Sequence, residues 1–279
     1  MSRHAYLIIA HNDFEVLHTL IKAIDDTRND IYLHIDKKVQ SPPHIVCKYA
    51  KLYQLSKRID VRWGDYSIVE TELLLFEEAA SHGPYNYYHL LSGVDLPIKS
   101  QDYIHNYCNT HQGKEFIGYA TTTQDELYWR VQHYFLFPRL FKSKNIIIRG
   151  IRKATIKAQD FIKYKRTKLS IRKGPQWCSL THSFICYVLS NKDLIYKTFN
   201  HTYCPDELFI QTLCWNSKYR NNIYNLSDEF EGCKRYIKWK NGELLLISDD
   251  DIEEMRRTSK WYARKFSHNT KEICTSVIR

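Results

Sequence analysis

The first 36 residues of the chain alternate a strand, a helix and a second strand, and this order constrains the fold more than any other feature. Residues 5–10 and 31–35 are continuous apolar runs of strand length. Between them, apolar side chains recur at the spacing of one helix face, at Val16, Leu17, Leu20, Ile21 and Ile24. Because a crossover helix joins parallel strands, the sequence predicts an α/β fold.

The rest of the chain extends the same pattern. A helix is predicted for residues 44–55, a third strand for 59–63 and a fourth for 87–92. The 279 residues contain no internal repeat or low-complexity linker, and their number suits one large domain. We expect a mixed sheet flanked by helices in a single domain over residues 1–266, followed by a polar tail at 267–279.

The ends of the predicted strands are the expected binding edge, because ligands of parallel sheets bind there. Ala10 and His11 follow the first strand, and Asp36 follows the second. A carboxylate at a strand end either accepts hydrogen bonds from its own turn or binds the polar groups of a nucleoside. Trp63 ends the third predicted strand, where an aromatic side chain either packs on the rim or stacks on a ligand. The residues alone leave these alternatives open.

Glu207 ends a Pro-Asp-Glu sequence at residues 205–207, where a helix is predicted to begin. Acidic residues at a helix start are stabilised by its free N–H groups and by the helix dipole, which explains this sequence without any function. A carboxylate held on a rigid helix start is equally suited to act as a general base. Both interpretations remain open at this point.

The chain lacks the usual sequence anchors for a metal or a cofactor. Three aspartates at residues 249–251 are similar to a metal-binding DxD sequence, but an amphipathic stretch follows them, and we interpret them as the first turn of a helix. His201 and Cys204 have the spacing of metal ligands without a second pair. No Walker A loop, GxGxxG, HExxH or GxSxG occurs. The sequence therefore predicts no bound metal or cofactor.

The positive charge of the chain is concentrated in one segment. With 41 basic and 31 acidic residues, the formal net charge is +10. Residues 130–173, here called the basic segment, contain fourteen Lys and Arg residues and one acid, Asp160, so the segment is +13 and the remainder −3. Such a segment attracts polyanions. Its interleaved aromatic residues suit either an anionic membrane surface or single-stranded nucleic acid.

Nothing in the sequence predicts a secretory signal or a membrane-spanning helix. The first apolar run has six residues, whereas a signal core needs about 7–15 and a membrane span about 20. The eight cysteines form no CxxC pair. We therefore expect a cytoplasmic protein with reduced thiols.

Eight short segments stand in order between residues 4 and 266. They are YLIIAH at 6–11, HIDKK at 34–38, WGDYSIVETEL at 63–73, YHLLSGVDLPIK at 88–99, GPQWCSLT at 174–181, PDE at 205–207, RYIKW at 235–239 and YARKF at 262–266. Together they resemble the core-2/I-branching β-1,6-N-acetylglucosaminyltransferase and peptide xylosyltransferase family, the family 14 glycosyltransferases. The chain is similar to a compact, bacterial-type member.

The resemblance implies a GT-A-like, Rossmann-type fold, a UDP-sugar donor and an inverting transfer that needs no divalent metal. In that scheme Glu207 is the catalytic base, which takes the proton of the acceptor hydroxyl. Arg235 and Lys265 face the diphosphate and stabilise the charge of the leaving UDP. Asp36 and Trp63 hold the uracil by hydrogen bonding and stacking.

The resemblance also assigns less central positions. Ala10 contributes backbone at the nucleotide edge, and Asp95 and Trp177 line the pocket of the sugar and the acceptor. Xylosyl and N-acetylglucosaminyl members share these motifs, so the donor sugar stays open, with N-acetylglucosamine preferred over xylose or a hexose.

The resulting expectation is a glycosyltransferase that moves a sugar from a UDP-sugar to a hydroxyl of a glycan acceptor, in surface polysaccharide or lipopolysaccharide biosynthesis. The basic segment places it at the inner face of the cytoplasmic membrane as a peripheral protein. A basic nucleic-acid-binding protein is the alternative from another class. The confinement of the charge to one segment and the motif series argue against that alternative, so no nucleic-acid partner is expected.

Overall fold

The computed structural model describes residues 2–162 and 166–278. The strands, in chain order, are β1 His4–Ala10, β2 Asn29–Ile35, β3 Lys51–Gln54, β4 Tyr87–Ser92, β5 Leu96–Pro97, β6 Ser179–Thr181, β7 Arg235–Ile237, β8 Trp239–Lys240, β9 Glu243–Leu244 and β10 Tyr262–Arg264. The α-helices are α1 Phe14–Ile24, α2 Ser67–His82, α3 Gln101–Thr110, α4 Gln124–Gln132, α5 Ile146–Phe161, α6 His182–Ser190, α7 Lys192–Phe199, α8 Phe209–Trp215, α9 Glu229–Gly232, α10 Ile252–Arg257 and α11 Ile273–Ile278.

The central sheet has the order β3-β2-β1-β4-β6 within the described residues. The first four of these strands run parallel, and β6 is antiparallel to β4. Every residue of β1 is buried, as expected for a continuous apolar strand of a sheet covered on both faces. The predicted α/β class, with a mixed sheet flanked by helices, is confirmed.

Helices cover both faces of this sheet, and the alternation of β1 shows which packs where. Tyr6 and Ile8 belong to the core on the α1 side, where the five apolar residues predicted from helical spacing are all buried. Ala5 and Leu7 belong to the core on the α2 side. The strand–helix–strand unit at the start of the chain is therefore confirmed in type and orientation.

Two predicted elements between β2 and α2 are wrong. Residues 44–55 do not form a helix but include the edge strand β3, whose Tyr53 stacks on Tyr32 of β2 at 4.8 Å between ring centroids. Residues 59–63 form no strand. Instead the N–H of Ile59 donates to His34 Nε2 at 2.9 Å, and its carbonyl accepts from the N–H of Lys37 at 3.0 Å. Contacts with β2, which is distant in sequence, therefore determine the conformation of both segments.

A second, three-stranded sheet brings distant parts of the chain together. Its order is β5-β10-β7, with β10 antiparallel to β5 and parallel to β7. Ala263 pairs with Leu96 and with Tyr236, so the YARKF segment lies directly beside the HLLSGVDLPIK segment. This pairing positions Arg264 next to Asp95.

The last residues do not form the polar tail that the sequence suggested. Helix α11 lies within residues 267–279, and its Ile273, Cys274 and Val277 are buried in the same core cluster as α1. Lys271 also forms an ion pair with Glu15. The chain therefore continues to pack on the domain after residue 266.

The described part of the basic segment contains the end of α4, a 3-10 turn at Pro138–Leu140 and α5. Two of its predicted cations, Lys163 and Lys165, lie outside the described residues. Within the described part of the chain, no helix is both long enough and apolar enough to cross a membrane.

Candidate active site

A cavity of about 960 Å³ opens where β1, β2 and β4 end. Ile9, His11, Asp36 and Ser92 line it from these strand ends. The position is the binding edge predicted for a parallel sheet. Of the predicted site residues, four line the cavity, namely Asp36, Trp63, Trp177 and Glu207.

Asp36 bonds its own turn and also lines the cavity. Its carboxylate accepts from the N–H of Lys38 at 2.8 Å and from its Nζ at 2.7 Å, so it bonds its own turn. It also lines the cavity, and its N–H donates to the carbonyl of Ala10 at 2.9 Å. Ala10 itself is buried behind the cavity wall, between Ile9 and His11.

Trp63 presents an aromatic face to the same end of the cavity. Its side chain is 54% exposed and makes an edge contact with Tyr203, at 5.6 Å between centroids. Lys142, from the basic segment, places its Nζ 4.4 Å from the centre of the indole ring and also lines the cavity. An exposed indole of this kind can stack on a flat ligand.

Glu207 also lines the cavity, on a short turn that precedes α8. Pro205–Glu207 forms a 3-10 helix, and α8 begins only at Phe209. The turn starts at Cys204, whose N–H donates to the carbonyl of Gly64 at 2.9 Å. At its other end the carbonyl of Glu207 accepts from the N–H of Gly174 at 3.0 Å. The turn is thus fixed to two loops of the cavity.

Arg130, a residue that the sequence analysis did not single out, orients the Glu207 carboxylate. Its buried guanidinium donates through Nη2 to Glu207 Oε2 at 3.0 Å. The same group donates to the carbonyls of Tyr203 at 3.1 Å and Cys204 at 2.7 Å. Because the guanidinium is held by the backbone, it fixes the carboxylate rather than following it.

Two further carboxyl groups stand close to Glu207. Burial, with a contribution from the charge of Glu207, raises the pKa of Asp206 to about 7. Glu72 is fully buried and accepts a hydrogen bond from Gln176 Nε2 at 2.7 Å. Burial, with the charge of Asp206, raises its pKa well above the usual range. The surroundings of Glu207 therefore carry less negative charge at neutral pH than the number of carboxyl groups suggests.

Arg264 is the buried cation of the cavity, and it joins two predicted residues. Its Nε lies 3.4 Å from Asp95 Oδ1, and its guanidinium lies 4.2 Å from the centre of the Trp177 ring. Asp95 also accepts from the N–H of Ser92 at 2.9 Å. Burial raises the pKa of Asp95, and the charge of Arg264 opposes that rise. Asp95 is not on the cavity wall, but it contacts Arg264, which is.

Neither of the two cations predicted for the diphosphate, Arg235 and Lys265, lines the cavity. The buried guanidinium of Arg235 donates to the carbonyls of Cys233 at 2.7 Å, Cys178 at 2.9 Å and Leu90 at 3.2 Å. It is therefore held inside the domain, and the prediction that it faces the cavity does not agree with its position. The pKa of His11, a wall residue, is lowered chiefly by burial and also by the charge of Lys265.

The three aspartates at 249–251 have a structural role, as expected. Asp251 and Ser248 form a capping box before α10, and Asp251 pairs with Lys238 at 2.5 Å. Among the described residues, His4, His89 and Cys108 have ligand atoms within 4.8 Å of one another, but they are buried between the sheet and α3 and do not line the cavity.

Comparison with known proteins agrees with the motif series. The family model of the Core-2/I-branching enzyme matches residues 4–275. A human N-acetyllactosaminide β-1,6-N-acetylglucosaminyl-transferase is 25% identical over 297 residues, covering 98% of this chain and 70% of the relative.

Two xylosyltransferases are also similar. Xylosyltransferase oxt of Drosophila melanogaster is 21% identical over 90% of this chain and 30% of its own length. Xylosyltransferase 1 of Canis lupus familiaris is 23% identical over 95% of this chain and 29% of its own. This chain thus spans under a third of either xylosyltransferase. With the family model matching nearly its whole length, the chain belongs to the Core-2/I-branching enzyme family of glycosyltransferases.

Proposed function

We propose that this protein is an inverting, metal-independent glycosyltransferase that moves N-acetylglucosamine from UDP-GlcNAc to a hydroxyl of a glycan acceptor. The observation that carries the proposal is Glu207, held by Arg130 at the wall of a cavity at the strand ends. Because the similar proteins include xylosyltransferases as well as an N-acetylglucosaminyl-transferase, a UDP-xylose or UDP-hexose donor is the alternative.

The proposed reaction is a single displacement at the anomeric carbon of the donor sugar. The acceptor oxygen forms a bond to this carbon while the bond to the phosphate oxygen breaks. Glu207 takes the proton of the acceptor hydroxyl, and UDP leaves with the bonding electron pair. Attack from the side opposite to the leaving group inverts the configuration. The cavity has room for both substrates, since it measures about 960 Å³.

The nucleotide is proposed to bind in the same cavity, at Asp36 and Trp63. Asp36 offers carboxylate oxygens to the uracil or ribose, and Trp63 offers an exposed indole for stacking. The leaving diphosphate gains negative charge, and fixed cations stabilise such charge best where water is excluded. Arg264 and Lys265 are the cations assigned to that task, and no metal is assigned to it. Trp177 then borders the sugar and the acceptor.

The experiment that tests the proposal is a donor screen by thermal shift with UDP, UDP-GlcNAc, UDP-xylose, UDP-glucose and UDP-galactose. We expect UDP-GlcNAc to give the largest stabilisation, because a ligand that binds the folded state raises its melting temperature. UDP release from the preferred donor is then measured in excess EDTA, and we expect an unchanged rate. A rate that falls in EDTA and returns with Mn²⁺ would contradict metal independence.

A second prediction separates Arg235 from the diphosphate. Arg235→Met is expected to lower the melting temperature by about 10 °C and to leave the UDP affinity of the folded protein unchanged. Each lost hydrogen bond of a buried charged group costs about 1.5–3 kcal/mol, and a domain of this size loses about 2–4 °C per kcal/mol. Lys265→Met is the matched control, with UDP affinity about tenfold weaker and an unchanged melting temperature. If calorimetry shows that Arg235→Met weakens UDP binding and Lys265→Met does not, Arg235 is the residue that binds the diphosphate.

The acceptor is proposed to be a glycan on a lipid carrier or a lipopolysaccharide precursor, so that the protein acts in surface polysaccharide biosynthesis. The proposed place of work is the inner face of the cytoplasmic membrane, with the protein bound peripherally. The support for this part is the basic segment, which holds +13 of charge in residues 130–173.

A further inference from the structure

Helix α5 exposes most of its apolar residues to solvent, unlike an ordinary surface helix. Such a helix normally turns its apolar face to the core and its polar face to water. In α5 no residue is buried. Instead the exposed fractions are 83% for Ile146, 68% for Ile147, 42% for Ile151 and 89% for Phe161. The apolar side of the helix therefore faces solvent.

Polar contacts on the inner side fix this orientation. Arg152 donates through Nη2 to the carbonyl of Leu140 at 3.0 Å. Gln159 accepts from the N–H of Tyr134 at 2.7 Å and donates back to its carbonyl at 3.1 Å. The side chain of Asn145 caps the helix by accepting from the N–H of Ile147 at 2.9 Å. Because both ends of the helix are held, its outward isoleucines are a fixed feature of the surface.

The outward residues form two adjacent stripes. The apolar stripe repeats at intervals of three and four residues and so follows one line along the helix; it comprises Ile147, Ile151, Ala154, Ala158 and Phe161. The basic stripe runs beside it and comprises Arg149, Lys153 and Lys157. Within the described part of the chain, none of these three cations forms an ion pair. Both stripes are available to a partner.

An anionic lipid membrane is the partner that satisfies both stripes. A nucleic acid would neutralise the cations but leave the isoleucines in water. A second copy of the chain would bury the apolar stripe but bring two basic stripes together, which is unfavourable. A helix lying in the headgroup region buries its apolar side among the acyl chains and places its cations against anionic headgroups.

We propose that α5 is an interfacial helix that docks this protein on an anionic membrane surface through these two stripes. The inference rests on the proposed function, since it names the surface through which a transferase for lipid-linked glycans reaches its acceptor. The helix is connected to the cavity by a short strap, residues 138–142. In the strap, Phe141 packs on Tyr203 at 5.0 Å and Lys142 lies over Trp63 at 4.4 Å. A docked α5 therefore holds the cavity mouth near the lipid surface.

The test is flotation of the full-length protein with phosphatidylglycerol-containing vesicles at low salt. We expect the wild type to bind these vesicles and not pure phosphatidylcholine vesicles. Ile147→Ser combined with Ile151→Ser removes the apolar stripe, and Lys153→Glu combined with Lys157→Glu reverses the basic one. Each pair is expected to weaken binding at least about tenfold. The matched control reverses two exposed lysines elsewhere, Lys48→Glu with Lys51→Glu, and keeps most of the binding.

The proposal is overturned if the wild type ignores anionic vesicles, if the isoleucine variant binds like the wild type, or if the control loses as much as the α5 variants. Light scattering that shows a dimer lost in the isoleucine variant assigns the stripe to a second copy and overturns it too. UDP affinity, measured for every variant, is expected to stay unchanged. If the flotation pattern is as expected but no UDP-sugar binds, the proposed function fails and the docking surface stands. If a UDP-sugar binds but the flotation pattern fails, the docking surface fails and the proposed function stands.

Discussion

Replacing Glu207 with glutamine is expected to lower the rate of sugar transfer about 100-fold or more while leaving UDP binding unchanged. Glutamine has nearly the shape of glutamate and keeps a carbonyl oxygen that can accept the hydrogen bond of Arg130, which now lies 3.0 Å away. It cannot take the proton of the attacking hydroxyl, and loss of a general base costs about 10²–10⁴ in rate. The effect should therefore appear in kcat and not in the affinity for UDP.

UDP release, calorimetric UDP binding and the melting temperature are the measurements for this variant. Glu229→Gln is the matched control, because Glu229 is a second glutamate on the same cavity wall to which no role is assigned. We expect less than a tenfold loss for the control. Near-normal turnover of Glu207→Gln would remove Glu207 from the role of base. An equal loss in both variants would show that any charge change in the cavity is sufficient.

Replacing Arg264 with glutamine is expected to lower kcat/KM by about 10²–10³. The guanidinium is a preorganised cation in a site with little water, where a single donor to developing charge has an effect of this size. Its removal has a second consequence, because Asp95 loses the cation that now lies 3.4 Å away and remains buried. A buried carboxyl group without its partner destabilises the fold or becomes protonated. Lower activity alone would therefore be ambiguous.

A double variant separates these two effects. Arg264→Gln combined with Asp95→Asn removes both charges, so we expect its melting temperature to return towards that of the wild type. Transfer is expected to stay low, because the cation that stabilises the leaving UDP is still missing. The measurements are thermal unfolding and UDP release for the two single variants and the double variant. If the double variant regains transfer to within tenfold of the wild type, Arg264 acts only by neutralising Asp95.

Elements decided by local pattern could be predicted from the sequence. The apolar runs of β1 and β2, the helical spacing of α1 and the boundaries of β4 agree with the structure. Strand β3 was predicted as a helix because its short edge position shows no alternation, and only pairing with β2 makes it a strand. The packing of α11 was missed for a related reason. Its three buried residues stand among polar ones, and the core that covers them comes from the other end of the chain.

The candidate site could be predicted only where a motif names a single residue. Asp36, Trp63, Trp177 and Glu207 line the cavity as expected. Arg130 was missed because 77 residues separate it from its partner Glu207, and no pattern links the two. The sequence analysis assigned Arg235 and Lys265 to the diphosphate, whereas Arg264 is the cation that lines the cavity. A motif gives the order of such residues along the chain but not which side chain points into the cavity.

The pairing of β10 with β5 and β7 makes the proposed nucleotide pocket a late product of folding. Arg264 reaches Asp95 across 169 residues of sequence, and Ile9 and Trp177 must also be in place before the walls are complete. Contacts this distant in sequence form slowly, because a long loop must close before they contribute any stability. During synthesis, the first 260 residues can form the central sheet without yet holding this cation. The proposed sugar-nucleotide pocket is therefore complete only once residue 264 has paired, and it distinguishes a chain folded to that point from one that holds the central sheet alone.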